Sequence, residues 1–126
     1  MEFRFSIITV ITIYATFSLA IAQDLPRNER NPDGVLINQD YFVVQQYPEM
    51  KALLANVERN HLNPQVIKDV FAGVIYGINN LFYVLDKFAN HPKALMLLGV
   101  GARIRNTPSL PIVYYDKALR LYPQSL

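Results

Sequence analysis

Residues 63–88 read NPQVIKDVFAGVIYGINNLFYVLDKF and contain the longest helical pattern in the chain. Apolar side chains recur in them at alternating spacings of four and three residues, the period of one face of a helix. They are Ile67, Phe71, Val74, Ile78, Leu81, Leu85 and Phe88. Asn63 is a suitable cap and Pro64 suits the first helical position. The pattern predicts one continuous helix from Pro64 to about Phe88, with this face in the core.

A second apolar stripe on the same predicted helix contains Gly73 and Gly77. Glycine costs roughly 1 kcal/mol in a helix relative to alanine, so a compensating close approach of a neighbouring helix is expected there. Residues 73–77, GVIYG, which begin and end with these glycines, also have the form of a membrane helix-dimer motif. The uncharged run from Val70 to Leu85 has 16 residues, which is short for a membrane span, so a buried core helix is the preferred interpretation.

Three further helices are predicted around this one. The first runs from Pro48 to about Asn60, and its apolar face carries Met50, Leu53, Leu54 and Val57. The next runs from Pro92 to a stop at residues 106–108, and the last from near Pro108 to Tyr122. No credible sheet is present. The chain is therefore predicted to be all-α, with helices packed as antiparallel hairpins.

Two segments precede these helices, an apolar one at residues 1–22 and a predicted arm at residues 23–47. Residues 1–22 contain 15 apolar side chains and end in a small-x-small pattern. They predict a signal peptide cleaved between Ala22 and Gln23, which exports the rest to the periplasm or the exterior. An uncleaved membrane anchor is the alternative.

The segment 23–47 is expected to form a flexible or extended arm. Residues 23–34, QDLPRNERNPDG, are rich in turn-forming residues. The YFVV run at 41–44 has strand propensity, but a lone strand is not stable in water. We expect it to lie extended across the helices and to bury Tyr41, Val43 or Tyr47.

Composition excludes several classes of chemistry. The chain has no Cys, which rules out a disulfide scaffold, a thiolate metal site and a cysteine nucleophile. Its net charge of +2 is too small to indicate a nucleic-acid-binding protein. His91, in an Asn-His-Pro turn, is interpreted as a helix-capping residue, and His61 as a favourable cation at a helix end. No serine elbow or phosphate loop is present, so we expect no enzyme, metal, cofactor or small-molecule substrate.

Residues 92–125, PKALMLLGVGARIRNTPSLPIVYYDKALRLYPQS, resemble the tetratricopeptide repeat (TPR), a 34-residue helix-turn-helix unit. Two departures are Ala102, where the family usually has Tyr, and Pro111, where a small residue lets the two helices cross closely. Residues 48–91 match only as a degenerate hairpin of the capping type. The positions that carry the resemblance are Leu95, Leu98, Gly99, Tyr115, Ala118 and Pro123.

The segments HLNPQV and YVLDKFANHPKAL are also similar to segments of small exported bacterial TPR proteins, from which no biochemical activity can be transferred. The resemblance implies a fragment of an α-α superhelix and a non-enzymatic interaction module that binds a protein or peptide. Membrane contact is expected only through an uncleaved leader. Candidate partner-binding residues form a weak basic cluster, although a solvated face is the simpler interpretation: Arg103, Arg105, Lys117 and Arg120.

Two alternatives remain for the function. Stacked repeats usually need at least three units for stability, and this chain offers about one and a half. The chain is therefore alternatively a structural fragment that self-associates into a homo-oligomer, or the N-terminal part of a longer TPR solenoid.

Overall fold

The computed structural model of the protein describes residues 24–125, and this part of the chain is all-α, as predicted. The predicted signal peptide and its cleavage site at Ala22 and Gln23 lie outside the described residues. Within residues 24–125, none of the helices has the length and apolar character needed to cross a membrane. The described helices are α1 (Tyr41–Val44), α2 (Pro48–His61), α3 (Pro64–Phe71), α4 (Ile75–Lys87), α5 (Pro92–Ile104) and α6 (Ile112–Leu121).

The prediction of one continuous helix from Pro64 to Phe88 is wrong, because the chain turns between α3 and α4. Gly73 adopts a positive φ of 71°. Its N–H donates to the Val70 carbonyl at 3.1 Å, and the Val74 N–H donates to the Asp69 carbonyl at 2.9 Å. This pair of bonds is the Schellman arrangement that ends helices at a left-handed glycine. Apolar periodicity continues across the turn and therefore conceals it.

The turn also changes which side chains enter the core. Phe71 and Val74, predicted to be inside, are exposed. The GVIYG segment is likewise not a buried helix, since only its Gly77 is buried. A Cβ atom on Gly77 would lie 2.6 Å from the Val70 backbone nitrogen, so α3 packs closely on the first turn of α4. The close approach predicted at the glycines therefore occurs at Gly77, between two halves of the predicted single helix.

The predicted extended conformation of residues 41–44 is also wrong, because they form the single helical turn α1. The Asp40 carboxylate caps this turn by accepting from the Phe42 N–H at 2.9 Å and the Val43 N–H at 3.4 Å. Val43 and Val44 are buried. Capping and burial override the strand propensity of the sequence.

The segment before α1 is joined to the end of α4 and to α6. The Gln39 N–H donates to the Lys87 carbonyl at 2.8 Å, and the Ala89 N–H donates to the Gln39 carbonyl at 3.2 Å. The Tyr122 hydroxyl donates to the Asn38 carbonyl. Burial there raises the pKa of Tyr122 to about 12.

The last helix begins later than predicted, at Ile112 instead of near Pro108. Asn106 ends α5 with a φ of 56°, and the Thr107 N–H donates to the Ala102 carbonyl at 2.8 Å. Residues 108–111 then form turns, and Pro111 disfavours a helical conformation at Leu110, the residue before it.

The core lies between α2, α3, α4 and α5, and α6 is peripheral to it. Ala118 is the one residue of α6 that is fully buried in the described part of the chain. Tyr114 adds a stacked contact with Phe82 of α4, with ring centroids 5.1 Å apart. The larger buried apolar side chains include Leu54, Val57, Leu62, Val70, Ile78, Leu81, Val84, Leu85, Phe88, Leu95, Leu97 and Leu98.

Candidate functional site

An open apolar groove of about 550 Å³ lies between the first half of α5 and the second half of α6. Met96 and Leu119 are 59% and 50% exposed in it. Its walls are almost entirely carbon, so it suits apolar side chains better than a charged or strongly polar ligand. The residues that line it are Pro92, Leu95, Met96, Tyr115, Leu119 and Ser125.

Tyr115 sets the separation of the two helices that form this groove. Its hydroxyl donates to the Leu95 carbonyl at 3.1 Å. The same oxygen would lie 2.5 Å from a Cβ atom placed on Gly99, so a larger residue at this position requires the phenol to shift. An aromatic ring, not a direct contact of two backbones, therefore spaces α5 from α6, and the groove lies beside it.

His91 fixes the start of α5 and hence one end of the groove. The side chain is 1% exposed and caps α5, with Nδ1 accepting from the Ala94 N–H at 3.3 Å. Nε2 must then carry the proton, and it donates to the Glu58 carboxylate at 2.9 Å. Burial lowers the pKa of His91, and the bond to Glu58 opposes this only in part. The predicted capping role of His91 is confirmed.

Asn90, the residue before His91, ties α1 to the same turn. Its Oδ1 accepts from the Tyr41 N–H at 2.7 Å, and its Nδ2 donates to Asp40 at 3.0 Å. The Tyr41 ring lies 4.6 Å from the His91 imidazole, centroid to centroid. Sequence reasoning missed Asn90 and Glu58. The one available signal was a polar residue next to the capping histidine, which does not identify partners 33 to 50 residues away.

His61 lies at the end of α2, as predicted, and its contacts are structural. The side-chain Nδ2 of Asn80 donates to the Tyr76 carbonyl at 2.8 Å. This bond directs the Asn80 Oδ1 atom toward His61. Nδ1 of His61 donates to that oxygen at 2.8 Å, and the ring stacks on Tyr83 with centroids 3.9 Å apart. Within residues 24–125, no group of three His, Asp or Glu side chains could hold a metal ion.

The four basic residues predicted to bind a partner are not brought into one patch. Arg103 and Arg105 lie at the end of α5, where Arg105 donates to the Gly73 carbonyl at 2.5 Å. Lys117 and Arg120 lie on α6. Since Tyr115 is level with residues 95–99, a rise of 1.5 Å per residue places Arg103 and Arg120 about 16 Å apart along the helix axes.

The residues that carry the TPR resemblance lie at the contact between α5 and α6 or next to it. Leu95, Leu98 and Ala118 are buried, and Gly99 meets Tyr115. Pro123 follows the end of α6.

Comparison of the chain with protein-family models, with curated proteins and with solved structures finds no significant match. The geometry of the groove and the sequence patterns are therefore the basis for assigning a function.

Proposed function

We propose that the protein is an exported, non-enzymatic interaction module of TPR type, whose α5–α6 groove binds an apolar segment of a protein or peptide partner. The observation that carries the proposal is the groove itself, in which Met96 and Leu119 remain half exposed. Burying apolar area gains roughly 25 cal/mol per Å², so an apolar helix or extended segment is the ligand that gains most there.

The chemistry of the groove narrows the class of partner. The Tyr115 hydroxyl is already bonded to the Leu95 carbonyl, so the lining offers little beyond Ser125 for polar recognition. The lining has no charged side chain, and the helix that carries Leu119 has both acidic and basic residues, Asp116, Lys117 and Arg120. We therefore infer a partner segment that is defined by apolar anchors and not by its charge.

The TPR assignment and export are supported by sequence. The α5–α6 pair carries the spaced residues of the repeat, with Leu98 and Ala118 buried and Pro123 beyond the helix. The apolar composition of residues 1–22 supports export.

Quantitative affinity capture with the full chain from the producing cells tests the proposal. Met96→Lys places a charge in the groove, and Val35→Lys is the matched control at an exposed residue outside it. We expect at least one protein to be captured by the wild type and by Val35→Lys, and to fall at least tenfold with Met96→Lys. Equal capture by all three chains contradicts the proposal. Capture of a second copy alone supports the self-associating fragment instead.

A further inference from the structure

A second apolar surface lies at the other end of the helices, around the turn between α3 and α4. We call it the tip and define it by five side chains that are between 43% and 62% exposed: Phe71, Val74, Ile75, Tyr76 and Ile104. The positive φ at Gly73 produces the turn that directs the first of these outward. The groove proposed to bind a partner does not include any of them.

The C-terminus of α5 lies directly against this turn. A Cβ atom on Gly73 would lie 3.2 Å from Cγ2 of Ile104, and Arg105 donates from Nη1 to the Gly73 carbonyl at 2.5 Å. The exposed apolar groups from α3, α4 and α5 therefore form one surface. They lie on one turn and at the ends of three helices.

Basic residues lie beside the tip. Lys68 in the last turn of α3, and Arg103 and Arg105 at the end of α5, are all exposed. Asp69 is the nearest acidic residue in sequence, and its carboxylate accepts from the Gln65 amide at 2.9 Å. Between residues 70 and 115 the sequence has one other acidic residue, Asp86, near the opposite end of α4. The tip thus combines apolar side chains with an excess of positive charge.

We propose that the tip docks on the surface of an anionic lipid bilayer. Phe71, Val74 and Ile75 enter the boundary between headgroups and acyl chains, and the three basic residues contact the lipid phosphates. Aromatic and aliphatic groups bordered by Lys and Arg are the combination that binds such interfaces. The positive charge of the tip favours an anionic bilayer over a neutral apolar partner. This contact is separate from any contribution of the apolar residues 1–22.

Tryptophan fluorescence of the full chain tests the proposal. The chain has no Trp, so Phe71→Trp creates a single reporter at the tip and Leu119→Trp a matched reporter in the groove. We expect Phe71→Trp to shift to the blue, and to be quenched by brominated lipids, with vesicles of phosphatidylcholine and phosphatidylglycerol. Vesicles of phosphatidylcholine alone should produce little change. Leu119→Trp should respond to neither, even if residues 1–22 hold the chain on the membrane.

Charge substitutions in the Phe71→Trp chain supply the second measurement. Lys68→Gln with Arg103→Gln should weaken binding to the anionic vesicles roughly fivefold for each charge removed. Lys51→Gln with Arg59→Gln, exposed basic residues of α2, should leave it unchanged. The proposal is overturned by an unchanged Phe71→Trp spectrum, by an equal response with neutral vesicles, or by an equal effect of the two charge pairs. A blue shift that depends on protein concentration without lipid also overturns it, because a second copy then covers the tip.

Discussion

The Nε2–H of His91 donates to the Glu58 carboxylate at 2.9 Å and so joins the start of α5 to α2. The opposite nitrogen of the same ring accepts from the Ala94 N–H and caps α5. One neutral tautomer satisfies both contacts, whereas protonation of Nδ1 removes the acceptor that caps the helix. The stability of the α2–α5 contact is therefore linked to the charge state of this buried imidazole.

The first prediction concerns pH. The pKa of His91 is lowered by burial below its ordinary value of 6.5, so the unfolded chain binds the proton more readily than the folded chain. The resulting stability is fully present above pH 6.5 and is lost as pH falls from 6.5 through the lowered pKa of the folded state. Urea unfolding across this range should show that the free energy of unfolding of the wild type decreases as the pH falls.

The variant His91→Asn tests whether His91 causes this pH dependence. His91→Asn retains a capping oxygen and removes the titration, so its profile below pH 6.5 should be flatter. A His91→Asn profile as steep as that of the wild type would show that another group is responsible.

The second prediction concerns the turn at Gly73. Because its φ is 71°, Gly73→Ala should destabilise the protein by about 1–2 kcal/mol, and the contact with Ile104 adds to this loss. Gly73→Asn should cost less, since asparagine tolerates the left-handed conformation. Thermal or urea unfolding measures both. If α3 and α4 were one helix, Gly73→Ala would instead stabilise the protein by about 1 kcal/mol.

The third prediction concerns the spacing of α5 and α6. Tyr115→Phe should cost about 1 kcal/mol, the typical worth of its hydrogen bond to the Leu95 carbonyl. Gly99→Ala displaces the phenol. It should therefore destabilise the Tyr115→Phe variant, which has no hydroxyl, less than it destabilises the wild type. A double-mutant cycle measures this coupling. Additive effects of the two substitutions would mean that the hydroxyl does not lie against Gly99.

The fourth prediction separates binding from stability at the groove. Leu119 is half exposed in the last turn of α6, so Leu119→Asp should lower the free energy of unfolding by only about 1–2 kcal/mol, from the lost apolar contact and from a carboxylate at a helix C-terminus. The same substitution should abolish capture of the partner. Leu98→Asp is a contrasting control, because that side chain is fully buried and the variant should fail to fold. A large loss of stability in Leu119→Asp would place this residue in the core instead of in a binding surface.

The helices could be predicted from the sequence to different extents. The proline and asparagine signals located the starts of α2, α3 and α5, because caps depend on a few neighbouring residues. The turn at Gly73 could not be predicted from periodicity, since the apolar spacing continues through it and one backbone angle decides the outcome. The turn α1 depended on Asp40 and on burial of Val44, and burial is set by distant parts of the chain.

The candidate site was less accessible to sequence reasoning than the fold. The TPR-like spacing placed Leu95, Gly99 and Tyr115 on two adjacent helices, and Pro111 indicated a departure from the usual close crossing, but neither predicted what separates the helices. The groove exists because the Tyr115 ring occupies that space, which depends on a side-chain orientation and not on spacing. Similarly, four basic residues that are close in sequence are divided between two helix ends once α6 turns back along α5.

The central claim is that the α5–α6 groove holds a segment of another protein. Photocrosslinking in the producing cells from a photoreactive residue at position 119, with position 35 as the control, tests it most directly. We expect a discrete adduct from position 119, joined to an apolar residue of a different protein and lost with Met96→Lys. An adduct only with a second copy of this chain, or the same adducts from both positions, would contradict the claim.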